Sequence, residues 1–390
     1  MKIAQIAPLM ESCPPRLYGG TERIVSYLTE ELVRRGHDVT LFASGDSCTS
    51  ARLEPSCEVA LRLDPRIKDP IPHHILMLEK VRSLADRFDV LHFHLDVLHY
   101  PFLQSFVDKT VTTLHGRLDL HELKPLYATY RRAPLVSISR DQRLPMPPVN
   151  WVGNIHHGLP RNLLPFTKTP RGGYLAFLGR ISEEKRPDRA IEIATRAGMK
   201  LKIAAKIDRA DQAYWDGAIK PLVDSHPNVQ FVGEINERQK ARFIGDAAAL
   251  LFPIDWPEPF GLVMIEAMAC GTPVIAFRRG SVTEVIDDGL TGFLVDDIDQ
   301  AVVAVGRISE LDRTGVRASF EQRFGIERVA EDYLRIYRAL PGVRAMARSA
   351  PAPRQPALVP LAVVGEPIYR KPSLLPGIPR PASPQSPPAE

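Results

Sequence analysis

Residues 3–43 read IAQIAPLMESCPPRLYGGTERIVSYLTEELVRRGHDVTLFA. Ile3 to Ala7 is apolar enough for a buried strand, and residues 8–20, rich in Pro and Gly, form the loop that leaves it. Ile24, Leu28 and Leu32 then recur every four residues with Val25 and Val33 beside them, the stripe of an amphipathic helix. Thr21 is placed to be its N-cap, and Gly36 lies where a C-terminal cap belongs. Val39 to Ala43 is the next strand. Strand, helix and strand with so tight a return make a βαβ unit, whose crossover is right-handed.

The pattern continues outward. Ile75, Leu78, Val81 and Leu84 mark a second helix, and Val90 to His94 and Thr110 to Leu114 are two more strands. After the stretch from Leu159 to Gly173, read as an interdomain linker, the alternation starts afresh with a strand from Tyr174 to Leu178. Pro187 and Gly198 bracket the next helix. Further strands follow at Leu201 to Ala205, Val229 to Val232, Ala249 to Phe252 and Pro273 to Phe277. The predicted fold class is therefore α/β, with two doubly wound, Rossmann-like domains over residues 1–165 and 166–325. A helix over 326–340, patterned by Val329, Tyr333, Ile336 and Tyr337, crosses back onto the first domain. Residues 341–390 hold thirteen prolines and no sustained periodicity. They are predicted to be a disordered, Pro-rich tail, because little burial offsets the entropy of ordering them.

Composition excludes several functions. A chain of 390 residues, 44% hydrophobic and 25% charged, has material for more than one packed core. The formal charge of +4 comes from the tail, whose six basic and two acidic side chains leave the body near neutral. Nucleic acid is not an expected partner, since neutralising a run of phosphates takes a concentrated basic face. Cys13, Cys48, Cys57 and Cys270 are too few and scattered for a disulfide framework and lack metal-ligand spacing, which suits the reducing cytoplasm. The opening run meets Glu11 too early for a signal peptide, and no apolar stretch approaches the roughly 18 residues of a membrane span. Peripheral association with the inner face of a membrane stays open.

The polar oddities all follow the carboxyl ends of predicted strands: Tyr18 to Glu22, His92 to His99, His115 to Arg117, Gly179 to Arg186, and Pro253 to Gly261. Open α/β sheets bind ligands outside those ends, so two facing sheets gather these segments in one cleft. Gly19-Gly20 opens into a helix whose amides and dipole suit an anion, or is simply a flexible loop before a cap. Arg180 and Lys185 put two cations on one loop, fit to clamp a diphosphate, or else form a solvated basic turn beside Glu183 and Glu184. Pro259-Phe260-Gly261, between Glu258 and Glu266, frees backbone amides at a helix start. Glu266 lies in an apolar helix and needs a partner, which the hydroxyls of a ribose or hexose would supply. His92, His94 and His99 have no carboxylate or cysteine cluster at ligand spacing, so no metal site is predicted. Asp297 or Asp299 caps a helix, and Cys270 packs as a small hydrophobe.

YGGTER at 18–23, TTLHG at 112–116, GRISEEK at 179–185, EPFGLVMIEAMACGTPVIA at 258–276 and GSVTEVIDDGLTGFLV at 280–295 together resemble the retaining GT-B glycosyltransferases of family 4. The likeness extends over about residues 1–340, and residues 1–50 also look like bacterial members that use UDP-glucose. It implies a hexosyltransferase of glycan biosynthesis that moves a sugar from UDP-glucose or a similar UDP-hexose to an acceptor hydroxyl on a glycan, lipid or small metabolite. By position, Arg180 and Lys185 would hold the diphosphate, Glu266 the ribose, and Glu258 the donor sugar. The backbone of Phe260 and Gly261 would approach sugar and phosphates, His115 would lie near the donor sugar, and Gly19 and Gly20 would close over the phosphates. His115, Glu258, Arg180 and Lys185 form the implied catalytic set. The family's usual Asn-Gly-Ile-Asp reads His157-Gly158-Leu159-Pro160 here, which leaves the hinge and cleft wall unsettled.

The chemistry has its own logic. Breaking a sugar–phosphate bond leaves positive charge on the anomeric carbon and extra negative charge on the departing diphosphate. Arg180, Lys185 and helix amides are preorganised to stabilise that leaving group, so neither a metal nor a cofactor is expected. Two other readings stand beside transfer: a nucleotide-sugar epimerase of the same architecture, and a non-catalytic nucleotide-sugar-binding scaffold. NAD chemistry is unsupported, since no Gly-x-Gly-x-x-Gly follows a strand.

Overall fold

The computed structural model describes residues 1–17, 19–102 and 104–349, and its strands form two wholly parallel sheets. The first contains β1 (Lys2–Ile6), β2 (Asp38–Ala43), β3 (Arg52–Pro55), β4 (Val90–Phe93), β5 (Thr110–Thr113), β6 (Leu135–Ser137) and β7 (Trp151–Asn154). Their order is β3-β2-β1-β4-β5-β6-β7. The second contains β8 (Tyr174–Arg180), β9 (Lys200–Lys206), β10 (Val229–Gly233), β11 (Ala249–Phe252), β12 (Val274–Phe277) and β13 (Gly292–Val295), in the order β10-β9-β8-β11-β12-β13. Each order reverses beside its first strand, between β1 and β4 and between β8 and β11. Those reversals are topological switch points, where helices leave a sheet in opposite directions and a crevice opens at the strand ends.

Four helices position the site: α1 (Gly20–Arg34), α2 (Glu237–Gly245), α3 (Leu262–Ala269) and α4 (Ile326–Ala339). The α1 stripe of Ile24, Val25, Leu28 and Leu32 is fully buried, and Gly36 ends the helix at a φ of 81°. Its N-cap is Gly19 and not Thr21, which sits inside the first turn. The chain enters α1 at a φ of 153°, where a Cβ on Gly19 would come within 2.8 Å of Pro15, so glycine displaces the hydroxyl cap. Asp297 does cap its helix, accepting from the Gln300 amide, and Cys270 is buried at the end of α3.

α4 lies on the first sheet. Val329, Ala330, Tyr333, Leu334 and Tyr337 pack with Ile3, Leu28, Val90, Val111 and Val136 in one core. The predicted linker is not loose, because Leu159 is buried and pairs with the segment that opens α4: its N–H donates to Phe324 O, and it accepts from Ile326 N–H. The disorder predicted from 341 onward is corrected at its start. Pro341–Ser349 is a helix, begun by a proline where no amide partner is needed and anchored by Val343 against the α4 core. The rest of the predicted tail, 350–390, lies outside the described residues. Among the described residues no helix is long and apolar enough to cross a membrane.

Candidate functional site

The carboxyl ends of both sheets border one cleft of about 450 Å³. From the first sheet come Gly19 and Gly20 at the start of α1, and His115 just after β5. From the second come Arg180, Lys185, Glu258, Phe260 and Gly261. Of the segments singled out in sequence, Tyr18 lies outside the described residues.

Arg180 is not on a loop. It is the last residue of β8, paired in register with Lys206, and only Lys185 sits in the turn beyond. The guanidinium faces Glu184, Asp211 at 3.5 Å and Asp208 at 3.8 Å. Lys185 forms an ion pair with Glu258, and its ammonium stands 4.7 Å from the centre of the Trp256 ring. The Trp256 indole donates to the same carboxylate at 3.0 Å. The two groups implied to hold opposite ends of a donor therefore hold each other here. The loop beneath them is pinned by Ser281 N–H donating to Glu258 O, and a Cβ on Gly280 would come within 2.3 Å of the Glu258 nitrogen. That contact explains why a glycine opens the GSVTE segment.

Gly261 caps α3 at a φ of 77°, leaving the first helix amides at the cleft. One turn along, Glu266 is buried and meets Lys240 of α2 at 2.6 Å. The protein thus supplies the partner that sequence reasoning assigned to a sugar hydroxyl. Glu266 and Lys240 border a smaller recess, shared with Gly19, Gly20 and Gly179, that adjoins the main cleft. Arg23 of α1 closes that side with an ion pair to Glu237 of α2, joining the two sheets' helices.

On the opposite wall His115 is half-buried, stacks on His157 with ring centres 5.1 Å apart, and is held down to a pKa of about 3 by desolvation. His157 in turn meets Phe260 edge-on at 5.0 Å. The position that departs from the family pattern is therefore a wall of the cleft, bridging the first sheet to the EPFG loop. Glu22 also borders the cleft, and burial pushes its carboxyl up to about 7. Arg62 stands beside it, paired with Glu11 at 2.8 Å. Glu22 lay in the segment Tyr18 to Glu22 that sequence placed at the cleft, though without a role of its own; Arg62, His157 and Lys240 were not named as site residues, and only His157 carried a signal, its departure from the expected Asn. Among the described residues no three His, Cys, Asp or Glu side chains gather as a metal-binding group.

The description "Glycosyl transferases group 1" matches residues 166–314, and "Glycosyltransferase Family 4" matches residues 18–144. The chain belongs to glycosyltransferase family 4. This family member has the GT-B architecture, and it resembles Anabaena HepE in complex with UDP-glucose at a TM-score of 0.64, with 16% identity over 87% of this chain and all of that one. D-inositol 3-phosphate glycosyltransferase of Kribbella flavida is 33% identical over 184 residues, 42% of this chain. That match spans only 43% of the relative's length. N-acetyl-alpha-D-glucosaminyl L-malate synthase of Bacillus anthracis is 26% identical over 372 residues, 84% of this chain and 95% of the relative.

Proposed function

We propose that this family 4 member transfers a hexosyl group, with retention, from a nucleotide sugar to an acceptor hydroxyl, UDP-glucose or a similar UDP-hexose being the donor. The observation that carries this reading is the convergence of Arg180, Lys185 and the amide ends of α1 and α3 on one cleft between the two sheets. Such a group of fixed positive charges matches the charge that develops on a departing diphosphate. The UDP-glucose complex of HepE, which shares the fold, supports the choice of donor.

In this reading residues 166–325 hold the donor and residues 1–165 the acceptor. The diphosphate takes Arg180 and Lys185 from their carboxylate partners, and the released Glu258 accepts from hydroxyls of the sugar. Glu266, oriented by Lys240, accepts from the ribose hydroxyls. The anomeric carbon–oxygen bond breaks, the electron pair leaves on the diphosphate, and the acceptor oxygen attacks on the face the diphosphate leaves. Its proton passes to the departing phosphate oxygen. The cations of the chain perform the stabilisation that a divalent metal performs elsewhere, so turnover proceeds in EDTA. Cytoplasmic reducing conditions keep the four free cysteines as thiols.

The test is incubation of the full chain with UDP-glucose and a panel of hydroxyl acceptors in EDTA, followed by proton NMR of the anomeric signals. Release of UDP with an α-linked product supports the reading. Donor interconversion without any acceptor replaces it with an epimerase, and binding with no turnover replaces it with a scaffold.

A further inference from the structure

The two walls of the cleft are tied together by a run of hydrogen bonds that crosses from one sheet to the other. It begins at Glu258, whose carbonyl oxygen accepts from the Ser281 N–H at 2.9 Å. Ser281 O accepts in turn from the Glu284 N–H at 2.9 Å, which ties the short helix Val282–Val285 to the Glu258 loop. Arg323 donates to the Glu284 carbonyl at 2.6 Å and holds the same helix from another side. The Glu284 side chain then reaches over to the first sheet. One carboxylate oxygen accepts from the N–H groups of both Arg140 and Asp141 at 2.9 Å, and the other lies 3.2 Å from His156 Nε2.

Arg140 and Asp141 open the turn Asp141–Arg143 that follows β6, and the next residue, Gln142, carries the connection to the other wall. The buried Gln142 NH₂ donates to Leu114 O at 3.0 Å and to Gly116 O at 2.8 Å, the carbonyls of the two residues flanking His115. Gln142 Oε1 accepts from the Ile138 N–H at 2.9 Å, and the Gln142 N–H donates to Ser139 Oγ. Glu258, His115 and Ile138 border the cleft, whereas Glu284 and Gln142 stand back from it.

Backbone groups set the sense of every link, because an amide N–H only donates and a carbonyl only accepts. Turning the Gln142 side chain over would set its NH₂ against the Ile138 N–H and its oxygen against two carbonyls, so a single orientation satisfies all of them. Burial by itself would raise the Glu284 carboxyl, but the bonds from His156 and from the two amides bring it below the ordinary glutamate value. It is therefore ionised near pH 7, and the bonds that bridge the two sides are charge-assisted. Within GSVTE, Gly280 lets the segment approach Glu258, and Glu284 carries the contact across the interface.

We propose that Glu284 and Gln142 are positioning residues that register the two walls of the cleft, holding the His115 segment at a fixed offset from the Glu258 loop. Arg180, Lys185 and Glu266 all lie on the second-sheet side, so losing the register leaves these donor contacts in place. It displaces the opposite wall from the reacting centre, and a small misplacement of that kind costs rate and not affinity. That consequence rests on the transferase reading; the register itself does not.

The experiment joins hydrogen exchange, read by mass spectrometry, to kinetics on the full chain. Without ligand, the wild-type amides of Arg140 and Asp141 should exchange slowly, and Glu284→Ala should speed them about tenfold or more and loosen 114–116. In the acceptor panel with UDP-glucose, Glu284→Ala should lower kcat about 10- to 100-fold while its affinity for UDP, measured by calorimetry, stays within about threefold. Glu284→Gln keeps an oxygen for the two amides and should restore most of the wild-type kcat. Gln142→Met empties the second link without altering the second-sheet side, and should repeat the loss of kcat with UDP affinity kept. Unchanged exchange at Arg140 and Asp141 in Glu284→Ala overturns the proposal, as does wild-type kcat in Glu284→Ala or Gln142→Met. So does a fall in UDP affinity as large as the fall in kcat, or a Glu284→Gln no better than Glu284→Ala. Rapid exchange of the two amides in the wild type overturns it even if no variant folds. The expected exchange pattern in a protein that releases no UDP upholds the register and removes the transferase reading.

Discussion

Lys185 and Glu258, 73 residues apart in the sequence, meet as an ion pair inside the cleft proposed to take a nucleotide sugar. The pair keeps two charged groups satisfied in a half-buried place, and a donor offers each a replacement: phosphate oxygens for the ammonium, sugar hydroxyls for the carboxylate. Lys185→Ala is expected to lower turnover by about 10²–10³, the usual cost of losing one preorganised donor aimed at developing negative charge. Arg180→Ala should act in the same direction. Steady-state kinetics decide the matter, and normal kcat in both variants would remove the assignment of these residues to the diphosphate.

Glu266 and Lys240 face one another at 2.6 Å beside the main cleft. Glu266→Ala deletes the carboxylate and leaves a nearly buried ammonium without it. Hydrogen bonds to a charged group contribute about 1.5–3 kcal/mol, so nucleotide affinity should fall roughly 10- to 100-fold. Calorimetric titration with UDP measures this, and equal affinity in the variant contradicts the role proposed for Glu266.

The Glu22 carboxyl gives the fold a dependence on pH. Its pKa of 4.5 in the unfolded chain rises to about 7 on burial. Between those values the folded protein keeps a proton that the unfolded chain has lost, so this group's stabilisation is complete below about 4.5 and declines as pH rises to about 7. Glu22→Gln removes that decline. The variant should gain stability relative to wild type between pH 5 and pH 8, by on the order of 3 kcal/mol. Urea unfolding of both proteins at the two pH values gives the comparison, and a gap that does not change with pH would refute it.

Gly261 adopts a φ of 77°, and a Cβ there would come within 2.8 Å of Met264 Cε and 3.1 Å of Phe252 Cζ. Gly261→Ala therefore combines backbone strain with crowding at the start of α3, and should destabilise the protein by about 1–3 kcal/mol. The helix amides would shift with it, so nucleotide affinity should fall together with the melting temperature. An alanine variant that melts and binds as wild type would show that α3 can start without the left-handed turn.

Local patterns made the central strands and helices of each sheet legible, because a strand buried on both faces and a helix with one apolar stripe leave periodic marks. Four outlying strands left none, though the edge strand β10 was legible: β3 is RLEP, β7 is WVGN and half-buried, β6 beside it spans only three residues, and β13 closes the second sheet as GFLV. Thr21 looked like a cap by residue type, but the path of the backbone at Gly19 decided otherwise. In the cleft, the glycine loop, Arg180, Lys185 and Glu258 could be named because each stands beside its own strand end. Their partners could not. Lys240 reaches Glu266 from another helix, and Arg23 reaches Glu237 over 214 residues, and no spacing rule records such contacts. The helix at 341–349 was lost in the composition of the proline-rich stretch behind it.

The claim on which the rest depends is that a nucleotide sugar binds between Arg180, Lys185 and Glu266. A thermal-shift panel of UDP, GDP, ADP and their hexose conjugates in EDTA, run on the wild type and on Glu266→Ala, tests it most directly. A ligand present at 100 times its dissociation constant adds about 2.7 kcal/mol to stability. The account predicts that UDP and a UDP-hexose raise the wild-type melting temperature and that the rise is lost in Glu266→Ala. A panel with no shift in the wild type, or a UDP-hexose shift that survives in Glu266→Ala, would contradict it.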